Sequence, residues 1–151
     1  MSVTTIFPAW KQAVNSAVKE FTWGDVIPSG WLCDNFDLPL PPTGSVEEFR
    51  RYGLLFLRSM DSFREALLTK HNMALKSVTG VGYEVVHPAK QTQYASEKLV
   101  YGVRKAFRDA GMLSTHLDYS VLTQKERQDA LEFRGKLAAF QAISGRAIGK
   151  L

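Results

Sequence analysis

Apolar side chains at Phe7, Trp10, Val14, Ala17 and Phe21 recur at steps of three and four, the period of one face of a helix. With Thr5 as a cap and Pro8 in the first turn, the spacing predicts a helix from Thr5 to Phe21. The stretch TWGDVIPSGWLCDNFDLPLPPTG then interrupts its apolar residues (Trp23, Val26, Ile27, Trp31, Leu32, Phe36) with Pro28, Gly30, Pro39, Pro41 and Pro42. Short helical turns followed by an extended connector are expected, because a residue before proline is pushed out of helical geometry. A second helix opens on a capping box, Ser45 with Glu48, and carries Phe49, Tyr52, Phe56, Met60, Phe63 and Leu67 along one face to about Lys70. Ser59-Met60-Asp61 is a place where it could divide.

Beyond His71-Asn72 the period drops to two, through Leu75, Ser77 and Val78 to Tyr83, Val85 and Val86, around Gly80 and Gly82. A two-stranded hairpin is predicted, with both glycines supplying positive φ. Helical spacing returns from Gln91 to Gly111, with Val100, Val103, Phe107 and Ala110 on the apolar side and Gly111 as a left-handed terminator. After the linker MLSTHLDYSVL, Thr123 and Glu126 form another capping box. They start a last helix expected to carry Ala130, Phe133, Leu137 and Phe140 inward, before a frayed tail, SGRAIGKL.

These elements predict a mainly α chain with one β-hairpin, an α+β class. A length of 151 residues with 45% hydrophobic and 23% charged content suits a single domain, 1–151. Within it, 5–88 form the helical and hairpin core, 89–144 a helical extension and 145–151 the tail. No charged n-region precedes a long apolar run, and no membrane-length apolar segment occurs, so a cytoplasmic protein is expected. The lone cysteine, Cys33, reads as a small core hydrophobe in a reducing compartment.

The hairpin LKSVTGVGYEVV, residues 75–86, resembles the wing of response-regulator effector domains, where a strand reading roughly I-x-T-V-R-G-x-G-Y-x-L follows the recognition helix. Thr79 occupies the place of that family's wing arginine. The resemblance implies a winged helix-turn-helix core with two further C-terminal helices. It also implies that residues 61–71 enter the major groove of double-stranded DNA, offering Arg64, Lys70, His71 and Asn72, with Arg58 one turn earlier and Lys76 on the wing for phosphates. In overall style the chain is similar to small phage or prophage accessory proteins, which implies a phage-encoded regulator acting in the host cytoplasm.

Charge sharpens this picture. The formal net charge of +4 is uneven: residues 1–46 carry two basic and four acidic side chains, leaving +6 for residues 47–151. In the helix after the hairpin, Tyr94, Lys98, Tyr101, Lys105 and Arg108 fall at steps of 4, 3, 4 and 3, with Arg104 beside them. That basic-aromatic stripe suits phosphate contacts and base stacking, and equally the solvated face of an amphipathic helix. Two functions stay open. One is a non-enzymatic nucleic-acid-binding regulator of winged-helix type. The other is a protein-interaction module that inhibits or redirects a host enzyme through exposed aromatics such as Trp23, Trp31 and Tyr101. A homodimer would enlarge the basic surface.

Catalytic signatures are weak. His71, His87 and His116 lack the spacing of metal ligands, and Asp25 and Asp34 suit turn caps better than a cation site. TGVGY precedes a strand rather than a helix and has no following Lys-Ser/Thr, so it is no phosphate-cradling loop. No enzyme activity, cofactor or metal is expected.

Overall fold

The computed structural model describes residues 8–38 and 44–151. The expected Thr5 cap, Phe7 and the Pro39–Pro42 connector lie outside the described residues. The chain is mainly α-helical with one small antiparallel sheet, and it divides into two compact units, residues 1–91 and 92–151.

In the first unit, α1 (Ala9–Glu20) buries Ala13, Val14 and Ala17. The chain then forms β1 (Val26–Pro28) and α2 (Ser29–Asn35), followed by α3 (Val46–His71), β2 (Leu75–Val78) and β3 (Gly82–Val85). The Ser45–Glu48 capping box forms as expected: Glu48 N–H donates to Ser45 Oγ at 3.3 Å, and Ser45 N–H to Glu48 Oε2 at 3.0 Å. α3 runs unbroken through Ser59-Met60-Asp61 for 26 residues and stops at Asn72, whose left-handed φ of 56° ends the helical ladder.

The core is aromatic and aliphatic. Phe63 is fully buried, with its ring 5.4 Å from Phe36 and 6.4 Å from Trp31. Ile27, Leu32, Met60, Leu67 and Val85 are the other large fully buried side chains, each contributing about 1.5–3 kcal/mol by its removal from water. Trp31 is only half-buried because its indole N–H reaches out to Glu20 Oε2 at 2.8 Å. The Tyr52 hydroxyl donates to the Leu38 carbonyl and lies 3.1 Å from Cys33 Sγ, tying α3 to the end of α2. Burial, then the neighbouring thiol, push the Tyr52 phenol up to about 12.

The sheet corrects one expectation. It has three strands, not two, in the order β1-β3-β2, and both pairings are antiparallel. β1 is only three residues long and ends on Pro28, too short for a period-two signal; an edge position tolerates the missing N–H of proline. Backbone bonds lock it to β3: Val85 N–H donates to Asp25 O at 2.8 Å, Gly24 N–H to Val85 O at 2.7 Å and Ser29 N–H to Val81 O at 3.0 Å. The two hairpin glycines therefore have different duties. Gly80 takes φ +75° in the tight turn closed by Val81 N–H to Val78 O at 3.1 Å. Gly82 is buried where β1 crosses it: a Cβ there would overlap the Ile27 carbonyl oxygen and sit 3.0 Å from Pro28 Cα.

Two long helices build the second unit. α4 (Pro88–Thr115) starts earlier than expected, with His87 Nδ1 accepting the Ala89 N–H at 3.1 Å, and continues through Gly111. Gly111 sits half-buried inside the helix, which runs on past it, and a Cβ there would meet nothing within 4 Å, so the glycine read as a stop neither ends the helix nor serves a close approach. A 3-10 turn, Tyr119–Val121, capped by Asp118, reverses the chain. α5 (Gln124–Ile148) begins with the expected Thr123–Glu126 capping box and passes Gly145, beyond the expected onset of fraying. Its inward residues depart from expectation: Ala130 and Leu137 are half-buried, while Phe133 is 50% exposed and Phe140 66% exposed.

Gly80→Ala is expected to lower unfolding free energy by about 1–2 kcal/mol, the left-handed penalty. Gly82→Ala should cost about 3 kcal/mol or more, since backbone rather than a side chain must give way. Urea unfolding followed by tryptophan fluorescence separates the two. The Tyr52 phenol should ionise near pH 12 in the ultraviolet difference spectrum, against an ordinary 10.0. Because the folded value is raised, the stability it carries is complete below pH 10 and drains away as pH rises through 12. Tyr52→Phe should abolish that late step and flatten the alkaline loss of stability.

Candidate nucleic-acid interface

Each expected contact residue has a definite place. In the first unit, the C-terminal half of α3 turns Met60, Phe63, Ala66 and Leu67 into the core, leaving Asp61, Glu65, Leu68 and Lys70 outward. Arg64 is half-buried, its guanidinium 5.7 Å from the centre of the Tyr83 ring on β3. His71 and Asn72 are exposed at the helix end. Lys76 is exposed on β2, and the register sets it directly opposite Glu84. Farther up α3, Leu54, Leu55 and Leu57 are exposed beside Arg58. The outward side of α3 is therefore mixed acidic, basic and apolar.

The hairpin tip, Thr79 to Val81, is exposed, while its base is held between β1 and the core through buried Leu75, Gly82 and Val85. Short reach follows, since only three residues separate β2 from β3. Of the aromatics considered for partner contact, Trp23 is 53% exposed and packs edge-on to His87 at 6.0 Å.

The second unit gathers the stripe. Tyr94 is half-buried with Lys98 Nζ 5.3 Å from its ring centre, and Tyr101 is 68% exposed. Tyr101, Arg104, Lys105 and Arg108 line one open cleft of about 560 Å³ together with Val100 and Leu151. Arg108 has Asp109 3.9 Å away, both well exposed, a contact too solvated to hold the arginine in place. This cleft unites three of the expected contact residues, Tyr101, Lys105 and Arg108, and adds Arg104.

Charge divides unevenly between the units. Residues 1–91 hold nine basic and nine acidic side chains; residues 92–151 hold ten and six. The whole net charge of +4 is carried by the two-helix unit.

Among the described residues, no group of three or more His, Cys, Asp and Glu comes together in metal-binding fashion, and no helix is long and apolar enough to cross a membrane. Asp25 does serve a turn, its Oδ2 accepting the Thr22 N–H at 2.8 Å. Removing the Arg64 head group is expected to cost folding stability through Tyr83: Arg64→Ala should lose about 1 kcal/mol in chemical unfolding, and Lys70→Ala far less. No family model matches the chain, and neither a curated protein nor a solved structure matches it.

Proposed function

We propose that the protein is a non-enzymatic nucleic-acid-binding regulator of winged-helix type. The observation that carries this reading is topological. In the order α1-β1-α2-α3-β2-β3, with β3 between β1 and β2, a hairpin with an exposed tip follows directly after the third helix. That arrangement supports a wing, and the twin-glycine segment that resembles one lies in its place.

On this reading the first unit supplies shape and the second supplies phosphate affinity. Unit 1 is neutral overall, and Asp61 and Glu65 accompany the cations on α3, so its contacts to a duplex are few. Lys98, Arg104, Lys105 and Arg108 provide the cations and Tyr101 an exposed ring for hydrogen bonding or stacking. A phage-encoded regulator in a host cytoplasm is the setting the reading implies.

Fluorescence anisotropy with a labelled duplex at two salt concentrations tests it. Four phosphate contacts give a log–log salt slope of about −3.6 per chain, so binding should be measurable at low ionic strength and nearly lost at high. Charge reversal at Lys98, Lys105 and Arg108 together should abolish it. No binding at low salt, or binding indifferent to those reversals, overturns the reading.

A further inference from the structure

The two-helix unit is half of a hydrophobic core. Residues 92–151 contain no buried side chain at all, although α4 and α5 are 28 and 25 residues long. Ser96, Val100, Val103, Phe107 and Ala110 of α4 and Ala130, Leu137 and Ser144 of α5 are half-buried and none is buried, so the two helices cover each other only in part. Beside these residues runs a second apolar stripe on each helix at seven-residue spacing: Leu99, Ala106 and Leu113 on α4, and Phe133, Phe140 and Ala147 on α5. All six are exposed, Leu113 to 78%. Leu113 and Phe133 line one cleft of about 360 Å³ with Ala110, Ser114, Leu117 and Ala130, so the two stripes meet at the end nearest the connecting turn.

We infer that these stripes are covered by the same stripes of a second copy of the chain, giving a two-fold four-helix bundle. Three features select a second copy over another partner. A helix pair with no buried residue cannot hold its own core, so its cover must be present whenever the chain is folded. Seven-residue periodicity on both helices is the pattern of knobs-into-holes packing, and large Phe133 in one cleft with small Ala110 and Ala130 supplies both a knob and holes on one surface, as an isologous contact requires. Neither stripe contains a charged residue; the Lys98–Arg108 stripe occupies other positions of α4, so like charges do not oppose self-association.

The area is sufficient. Leu99, Leu113, Leu117, Phe133, Phe140 and Ile143 are each 37–78% exposed. At roughly 100 Å² apiece they offer about 600 Å², against about 800 Å² per partner in a standard interface, and the alanines and rim stems supply the difference.

Sedimentation velocity on the full chain over a range of concentrations is the direct test: the mass should be twice 16.9 kDa. Phe133→Asp with Phe140→Asp should raise the dimer dissociation constant by at least roughly 30-fold, as expected for two central interface residues. All three tryptophans, Trp10, Trp23 and Trp31, belong to residues 1–91, so unchanged tryptophan emission in that variant shows that the first unit still folds. Arg134→Ala with Lys125→Ala should leave the mass doubled. A monomer at high concentration overturns the inference, as does a doubled mass that survives the Phe133/Phe140 variant. So does a monomer that pairs only with a different protein.

Discussion

The first unit rests on one close approach, the Ile27 carbonyl of β1 against the α-carbon of Gly82 on β3. Any side chain at Gly82 would hold the strands apart. Without β1 the hairpin would be an isolated ribbon, which is marginal in water; with it, a three-stranded sheet closes over Leu75 and Val85. The sheet in turn presents Tyr83 to Arg64 and fixes the end of α3 against the core. A single missing methyl group thus links the turn chemistry of the loop to the packing of the helices.

Much of this was legible in the chain because the strongest local signals were also the structurally decisive ones. Both capping boxes, at Ser45 and Thr123, open helices where they were read, and the period of α3 from Tyr52 to Leu67 marks the face that is buried or half-buried. β1 escaped because its identity is wholly non-local. Three residues ending in proline carry no periodicity, and only the partner strand, 54 to 58 residues away, makes them a strand. Gly111 misled for a related reason: a glycine near the end of an apolar pattern is a terminator only if the next turn has nothing to gain by continuing, and here α4 continues to Thr115.

Phe133 and Phe140 expose a different limit of sequence reading. Apolar periodicity announces that a face will be covered, not by what. In α1 and α3 the cover is the rest of the same unit: Val14, Ala17, Met60, Phe63 and Leu67 are buried and Trp10, Tyr52 and Phe56 half-buried, while Phe49, near the start of α3, stays 48% exposed. In α5 the same kind of stripe finds no cover within residues 92–151. The candidate interface shows the same divide: the step pattern from Tyr94 to Arg108 identified a continuous basic-aromatic side, but the cleft that gathers Tyr101 with Arg104, Lys105 and Arg108 needed the fold.

Neutrality of one unit and positive charge on the other bear on how the proposed regulator would hold a duplex. Residues 61–71, with Asp61 and Glu65 among their cations, offer too little field to bind phosphate alone, and Lys76 opposite Glu84 adds little to the wing. Affinity would then come from the second unit, and specificity, if any, from the first. In a dimer joined through the uncharged stripes of α4 and α5, the cations of both copies remain on the outside. Eight phosphate contacts in place of four would steepen the salt slope to about −7, the range in which modest ionic changes govern occupancy. On the proposed reading, the half-built core and the scattered cations would answer one need: a unit that cannot cover its apolar face alone would arrive at DNA in pairs.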